Sequence, residues 1–260
     1  MDHPFSNILL ATEHTEFDAG SERVAFELAR RCGLALSIVV PVLTNPEFEV
    51  SALVDKAEQE IASRIEELRK VAVEKGVSID VHARRGESPA REIVSEAEER
   101  KADLVVIRRR GRRSFLAKLL VGEMVSQVVE DSPCSVLMVP RAAQMWSRGI
   151  LAAVSGGEDG KVAAIAATIA LECDLPLQVL CVARNEASRD EAERVVSLNV
   201  NVASNLGVKA QGMVLMGRPC DGILGGDADL IVIGMGKGGS GGTTRKVIGE
   251  SEKPVLAVCV

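Results

Sequence analysis

The sequence predicts an α/β protein built from two tandem, doubly wound parallel-sheet domains. Three observations carry that expectation. Short β-branched runs, ILLAT, LSIVVPV and DLVVI, alternate with helical patterns, which is the signature of βαβ units feeding a parallel sheet. The same landmarks appear twice along the chain. The length, 260 residues, exceeds a usual single domain of roughly 100 to 200 residues. We set the two domains at 1–141 and 148–260, the second shortened, with RAAQMWSRG from Arg141 to Gly149 as the link. The lone Trp146 suggests that this link packs against the protein.

Each element has a local reason. The first strand, NILLA from Asn7, is followed by a helical stretch from Ser21 and a second apolar run, LSIVVPV. A helix is expected from about Val54 to Glu74, with Val54, Ala57, Ile61, Ile65, Leu68 and Ala72 forming one apolar stripe. Its charged face includes Glu66 and Lys70, a favourable i,i+4 pair. Another helix should start at Ser88–Pro89, where serine caps a backbone N–H and proline occupies the first turn without losing a bond. Ile93, Val94 and Ala97 then face inward. The strands DLVVI from Asp103 and SVLMVP from Ser135 complete the first copy.

The second copy retraces this path. GILAAVSGGED from Gly149 matches NILLATEHTEF from Asn7, placing Ile150 on Ile8, and DLIVI from Asp229 matches DLVVI from Asp103. The interval between counterparts shortens along the chain, so the second copy has lost residues, chiefly between Gly217 and Asp229. It ends on the strand PVLAVCV from Pro254.

Composition narrows the function. Apolar residues make up 47% and charged residues 26%, the balance of a folded, soluble chain. Aromatics reach only 2%, so the cores must consist of Val, Ile, Leu and Ala. A net charge of -6 gives no general attraction for nucleic acid or an anionic membrane. The longest helical apolar run, Val162 to Leu171, is too short for a bilayer, and a cytoplasmic protein is expected. Six cysteines (Cys32, Cys134, Cys173, Cys181, Cys220 and Cys259) form no CxxC pair, and His3, His14 and His82 lie far apart, so no metal site is expected. The cysteines read as buried hydrophobes.

ATEHTEF at the end of the first strand, the GESPAREI helix start, DLVVI with its loop, and SPCSVLMV stand in an order that resembles the universal stress protein family, twice over. The resemblance implies adenine-nucleotide α-hydrolase-like domains whose terminal strands, SVLMV and PVLAVCV, pair in an internal pseudo-dimer. It also implies a phosphate loop, Gly-x2-Gly-x9-Gly-Ser/Thr, after the DLVVI-type strand, with an acid ending the first strand. In such a loop glycines admit phosphate to backbone N–H groups, and the helix start supplies positive potential.

Neither copy carries the full set. In the first, Glu13 ends the strand, Arg108 stands at the opening glycine, Gly111 follows, ten residues intervene before Gly122, and Glu123 replaces the hydroxyl residue at an expected helix start. That carboxylate would repel phosphate. In the second, Ser155 replaces the acid, Gly234 and Gly236 precede Lys237, Gly238 and Gly239, and Gly242 with Thr243 and Thr244 closes the motif. The second copy is therefore the better phosphate site. The run RRRGRR from Arg108 is either an anion-binding loop or a solvated one.

The expected ligand is an adenine nucleotide, ATP or AMP, or another phosphorylated small molecule, with Mg²⁺ only alongside nucleotide. The leading role is a non-catalytic, homodimeric stress-response regulator. Two alternatives stay open: a nucleotide-free dimerisation scaffold, and a weak ATPase or self-phosphorylating switch using Ser240, Thr243 or Thr244.

Overall fold

The structure, a computed structural model, describes residues 3–43, 51–109, 117–156, 160–236 and 241–260, with side chains of 51–57 and 117–123 outside the description. Its contacts divide the chain into two compact units, one built on Phe5–Cys134 and Val139–Gln144, the other on Ser135–Met138 and Met145–Val260.

The N-terminal unit runs β1 (Ile8–Ala11), α1 (Ala19–Arg31), β2 (Leu36–Leu43), α2 (Ser51–Lys75), β3 (Ile79–Gly86), α3 (Pro89–Arg100), β4 (Leu104–Arg109) and α4 (Ala117–Asp131). Its strands lie in the order β3-β2-β1-β4, all parallel. The central β1 and β4 are buried along their whole length, whereas β3 at the edge exposes many residues. This is the gradient a sheet covered on both faces requires.

The C-terminal unit contains β5 (Ser135–Pro140), β6 (Ile150–Ala153), α5 (Lys161–Cys173), β7 (Leu177–Ala183), α6 (Arg189–Asn205), β8 (Ala210–Met216), α7 (Pro219–Leu224), β9 (Leu230–Met235), α8 (Gly242–Glu250) and β10 (Val255–Cys259). Here the order is β5-β10-β9-β6-β7-β8. The expected pairing of the two terminal strands is present: β10 runs antiparallel to β5, with Leu256 opposite Leu137. The remaining neighbours in this unit are parallel.

Register supports the duplication directly. Ile8 pairs with Leu104, and Ile150 pairs with Leu230. The aspartates preceding these strands repeat one task. Asp103 accepts hydrogen bonds from the Ser6 and Asn7 backbone N–H groups at 2.7 and 3.1 Å. Asp229 accepts from Ser147, Arg148 and Gly149 N–H groups at 2.8, 3.0 and 3.0 Å. The carboxylates thereby fix the entries of β1 and β6. Burial pushes the Asp229 carboxyl up, but these N–H donors outweigh it and hold the group below its ordinary value.

Several local expectations meet their physical counterparts. Helix α2 covers the expected span, with Leu68 and Ala72 buried. Ser88 caps α3 by accepting from Arg91 N–H, with Pro89 in the first turn. Ile93 and Ala97 are buried, Val94 only partly. The segment shortened in the second copy keeps a helix of 6 residues, α7, where α3 has 12. Trp146 is buried, as a packed link requires.

Three expectations need correction. Glu66 lies 3.6 Å from Arg69, one residue nearer than the anticipated Lys70, because i,i+3 neighbours share the same face. Cys259 is exposed and Cys173 half-buried, so only four of the six cysteines are core residues. Helix α4 begins at Ala117, which puts Gly122 and Glu123 inside it rather than at its start. The strong helix formers Ala117, Lys118 and Leu119 extend the helix backwards.

Between β3 and α3, Glu96 is 1% exposed and held by Arg84 at 2.8 Å and Arg100 at 2.5 Å, with His82 at 3.3 Å. Burial raises its pKa, yet the hydrogen bonds from Arg84 and Arg100 bring it below the ordinary range. Glu27 is brought down to about 2, first by Arg30 and, against burial, by Arg31. Both folded pKa values are depressed, so this stabilisation is complete above the ordinary value of 4.5 and is lost as pH falls through the folded values. Urea unfolding followed from pH 7 to pH 2 should therefore show the N-terminal unit weakening below about pH 4.5. Glu96→Gln should cost about 3 kcal/mol at pH 7 and flatten that acid loss.

Candidate functional site

In a doubly wound sheet, ligand space opens beyond the carboxyl ends of the strands, where the strand order reverses. The reversal falls between β1 and β4 in the N-terminal unit, and between β6 and β9 in the C-terminal unit. The two places differ in what fills them.

In the N-terminal unit Arg108, near the end of β4, turns its guanidinium into this space. One terminal nitrogen donates to Asp18 Oδ2 at 3.0 Å, Asp18 Oδ1 at 3.2 Å and Thr15 Oγ1 at 3.3 Å, while the other lies 3.1 Å from Glu13 Oε1. Thr15 in turn donates to Asp18 from its N–H and its hydroxyl. Asp18 is 1% exposed and Arg108 7%. The structure thus joins Glu13 and Arg108 to each other, with Asp18 and Thr15. Gly122 lies within α4, where backbone N–H groups are committed to helical bonds. Gly111 lies outside the described residues, as do Lys237, Gly238 and Gly239.

The C-terminal unit has a glycine, Gly234, where its counterpart has Arg108, and an open cleft of about 1570 Å³ forms there. Ser155 borders it beyond β6, Gly234 and Gly236 at the end of β9, and Gly242, Thr243 and Thr244 at the start of α8. These six expected positions converge. Gly241 is the N-cap of α8 and supplies no side-chain cap. The first intrahelical bond runs from Arg245 N–H to Gly241 O, so the N–H groups of Gly242, Thr243 and Thr244 lie in the unpaired first turn. A Cβ added at Gly236, Gly241 or Gly242 would meet nothing within 4 Å, so these glycines front open space. The buried Thr244 hydroxyl donates to Gly234 O at 3.2 Å and fastens α8 to β9. Thr243 is half-buried on the cleft wall.

Four cleft residues were not legible as site residues. Arg184 follows β7, Arg218 is the N-cap of α7, Lys246 lies one turn into α8, and Cys220 is in the first turn of α7. Val154, Leu180, Val182 and Ile223 add apolar wall. Burial pushes the Cys220 thiol up, reinforced by Glu250 and Asp221. A thiol held protonated is a poor nucleophile. Among the described residues, no histidine lines the cleft.

Residues 4–140 match the family model described as the universal stress protein family. The chain belongs to the universal stress protein family. A universal stress protein of Methanocaldococcus jannaschii is 25% identical over 143 residues, covering 53% of this chain and 83% of its own length. Universal stress protein YxiE of Bacillus subtilis is 27% identical over 148 residues, covering 52% of this chain and 99% of its own. The crystal structure of a universal stress protein from Archaeoglobus fulgidus shares the fold over 99% of this chain and 97% of its own, with TM-score 0.81 and 18% identity. A universal stress protein structure from Pseudomonas aeruginosa covers 98% of this chain and 93% of its own, with TM-score 0.70 and 22% identity. Among the described residues, no helix of this universal stress protein is long and apolar enough to cross a membrane.

Asp18 and Thr15, which complete the Arg108 cluster of this universal stress protein, also escaped sequence reasoning. The one signal was an acid placed just before the apolar pattern of α1. Arg108→Ala would leave the Asp18 carboxylate buried without its cation and should cost about 3 kcal/mol. In urea denaturation, the double variant Arg108→Ala with Asp18→Asn should recover part of that loss; equal losses in both variants would mean that the pair contributes nothing.

Proposed function

We propose that this universal stress protein is a non-catalytic regulator whose C-terminal cleft binds an adenine nucleotide, ATP or AMP, or another phosphorylated small molecule. One observation carries the reading. The uncapped start of α8, fronted by Gly241 and Gly242, opens on a cleft of about 1570 Å³. Unpaired N–H groups at a helix start attract phosphate oxygens, and the apolar wall of Val154, Leu180, Val182 and Ile223 suits a flat base. The lack of a cleft histidine among the described residues and the protonated Cys220 favour binding over chemistry. We place the protein in the cytoplasm and read it as a homodimer.

The Arg108 cluster favours a second reading for the first copy: domain 1–141 serves as a nucleotide-free scaffold, and domain 148–260 holds the ligand.

Calorimetric titration with ATP and AMP tests the proposal. Wild-type protein should release or absorb heat with one site per chain. Gly242→Glu has room for its side chain and should fold normally, while its carboxylate should weaken binding about tenfold or more. No heat with the wild-type protein would leave only the scaffold reading. Phosphate released from ATP above background would restore the enzyme reading.

A further inference from the structure

β3 ends the strand order of the N-terminal unit and β8 that of the C-terminal unit, and the two are finished differently. β3 carries Asp80, His82, Arg84 and Arg85, and its arginines reach Glu58, Glu92 and Glu96. Charged side chains of this kind are the usual guard on a strand edge. β8 reads AQGMVLM over its 7 residues and carries no charge. It pairs in parallel with β7 along that whole length. Just beyond it, Gly217 N–H donates to Ala183 O on β7 at 2.9 Å, so by alternation Gln211, Met213 and Leu215 turn their main-chain groups to β7, while Ala210, Gly212, Val214 and Met216 turn theirs outward. Gln211 and Gly212 are exposed, as is Met216 at 47%. A groove of about 380 Å³ runs between this strand and α6, lined by Gly212, Met213, Val214 and Val196. Arg189 and Glu193 also line it and pair with each other at 3.1 Å, which leaves its charge balanced. Gly212 is required there, since a Cβ would come within 2.6 Å of Val196.

We propose that β8 is the edge on which a second copy of this chain docks, the two β8 strands running antiparallel about a two-fold axis at Met213. The proposal rests on the homodimer reading above and assigns it a surface. A strip that meets itself across a two-fold axis must be self-complementary. The register centred on Met213 pairs every residue of β8: Ala210 with Met216, Gln211 with Leu215, Gly212 with Val214, and Met213 with itself. It sets no like charges opposite each other, and the four outward residues of each copy exchange main-chain hydrogen bonds. Val214 of each copy then stands opposite the other's Gly212, beside the groove.

The experiment is sedimentation equilibrium of the full chain, 27.6 kDa per copy, repeated on Met213→Lys and Val214→Pro. Lysine at the axis puts two like charges face to face, and proline removes an outward N–H without touching the ladder to β7. The expected result is a wild-type dimer and a weakening of about tenfold or more in each variant, with unchanged circular dichroism. Met213→Cys reads the register directly and covers the case in which either variant misfolds. Residues facing each other at the axis as a non-hydrogen-bonded pair have Cα atoms about 4.5 Å apart, within disulfide reach. Mild oxidation should therefore cross-link Met213→Cys beyond the wild-type level, and Met216→Cys should stay at that level. A dimer of unchanged strength in the folded variants, or equal cross-linking at both positions, overturns this surface and leaves the homodimer reading standing. A wild-type chain that is monomeric at every concentration tested overturns both and leaves β8 to a strand from another protein.

Discussion

In each copy two buried parallel strands lie side by side and then hand the chain to opposite faces of the sheet, leaving a gap at their carboxyl ends. Backbone groups around such a gap cannot all be satisfied by the sheet, so something polar has to occupy it. In the N-terminal unit the occupant is internal. Arg108 brings a positive charge to Asp18 and Glu13 there. In the C-terminal unit the matching strand carries Gly234, and a cleft remains.

That one substitution has consequences on both sides of the comparison. A buried guanidinium is tolerable only with acids around it, and Asp18 with 1% exposure is a demanding partner because neither charge can return to water alone. The cluster therefore ties the loop after β1 to β4 and the start of α1. In the second copy the position matching Arg108 is Gly234, which has no side chain to form such a pair. Its geometry relies on smaller devices, such as the Thr244 hydroxyl on Gly234 O, and its positive charge stays at the surface of the cleft on Arg184, Arg218 and Lys246.

The legible part of the fold was the part governed by local periodicity and by repetition. Ser88–Pro89, the α2 helix and the correspondence of Ile8 with Ile150 all follow from patterns within a few residues or from the duplication itself. The start of α4 was misread because the phosphate-loop spacing suggested a boundary at Gly122, while the propensity of the preceding residues carried the helix back to Ala117. The cleft was half legible. Glycines and threonines announce a phosphate loop within one segment, but Arg184 and Arg218 lie at the ends of different strands, and only the parallel sheet brings those ends together. Asp18 was hidden for the same reason, since its partner is 90 residues away.

The two copies also separate groups that maintain the fold from groups that border the crevices at the strand ends. Asp103 and Asp229 do the same work in both, clamping the backbone that enters the first strand. A strand entry point that loses its acceptor exposes several N–H groups at once, a loss that no alternative side chain nearby can repair. The positions around the crevices obey no such constraint. Glu13 against Ser155, and Arg108 against Gly234, are changes that the sheet accommodates because the space they border can be filled by a side chain, by water or by a ligand. A duplicated fold of this kind can alter its chemistry at the strand ends while its strand register stays fixed, and the chain has done so in opposite directions in its two halves.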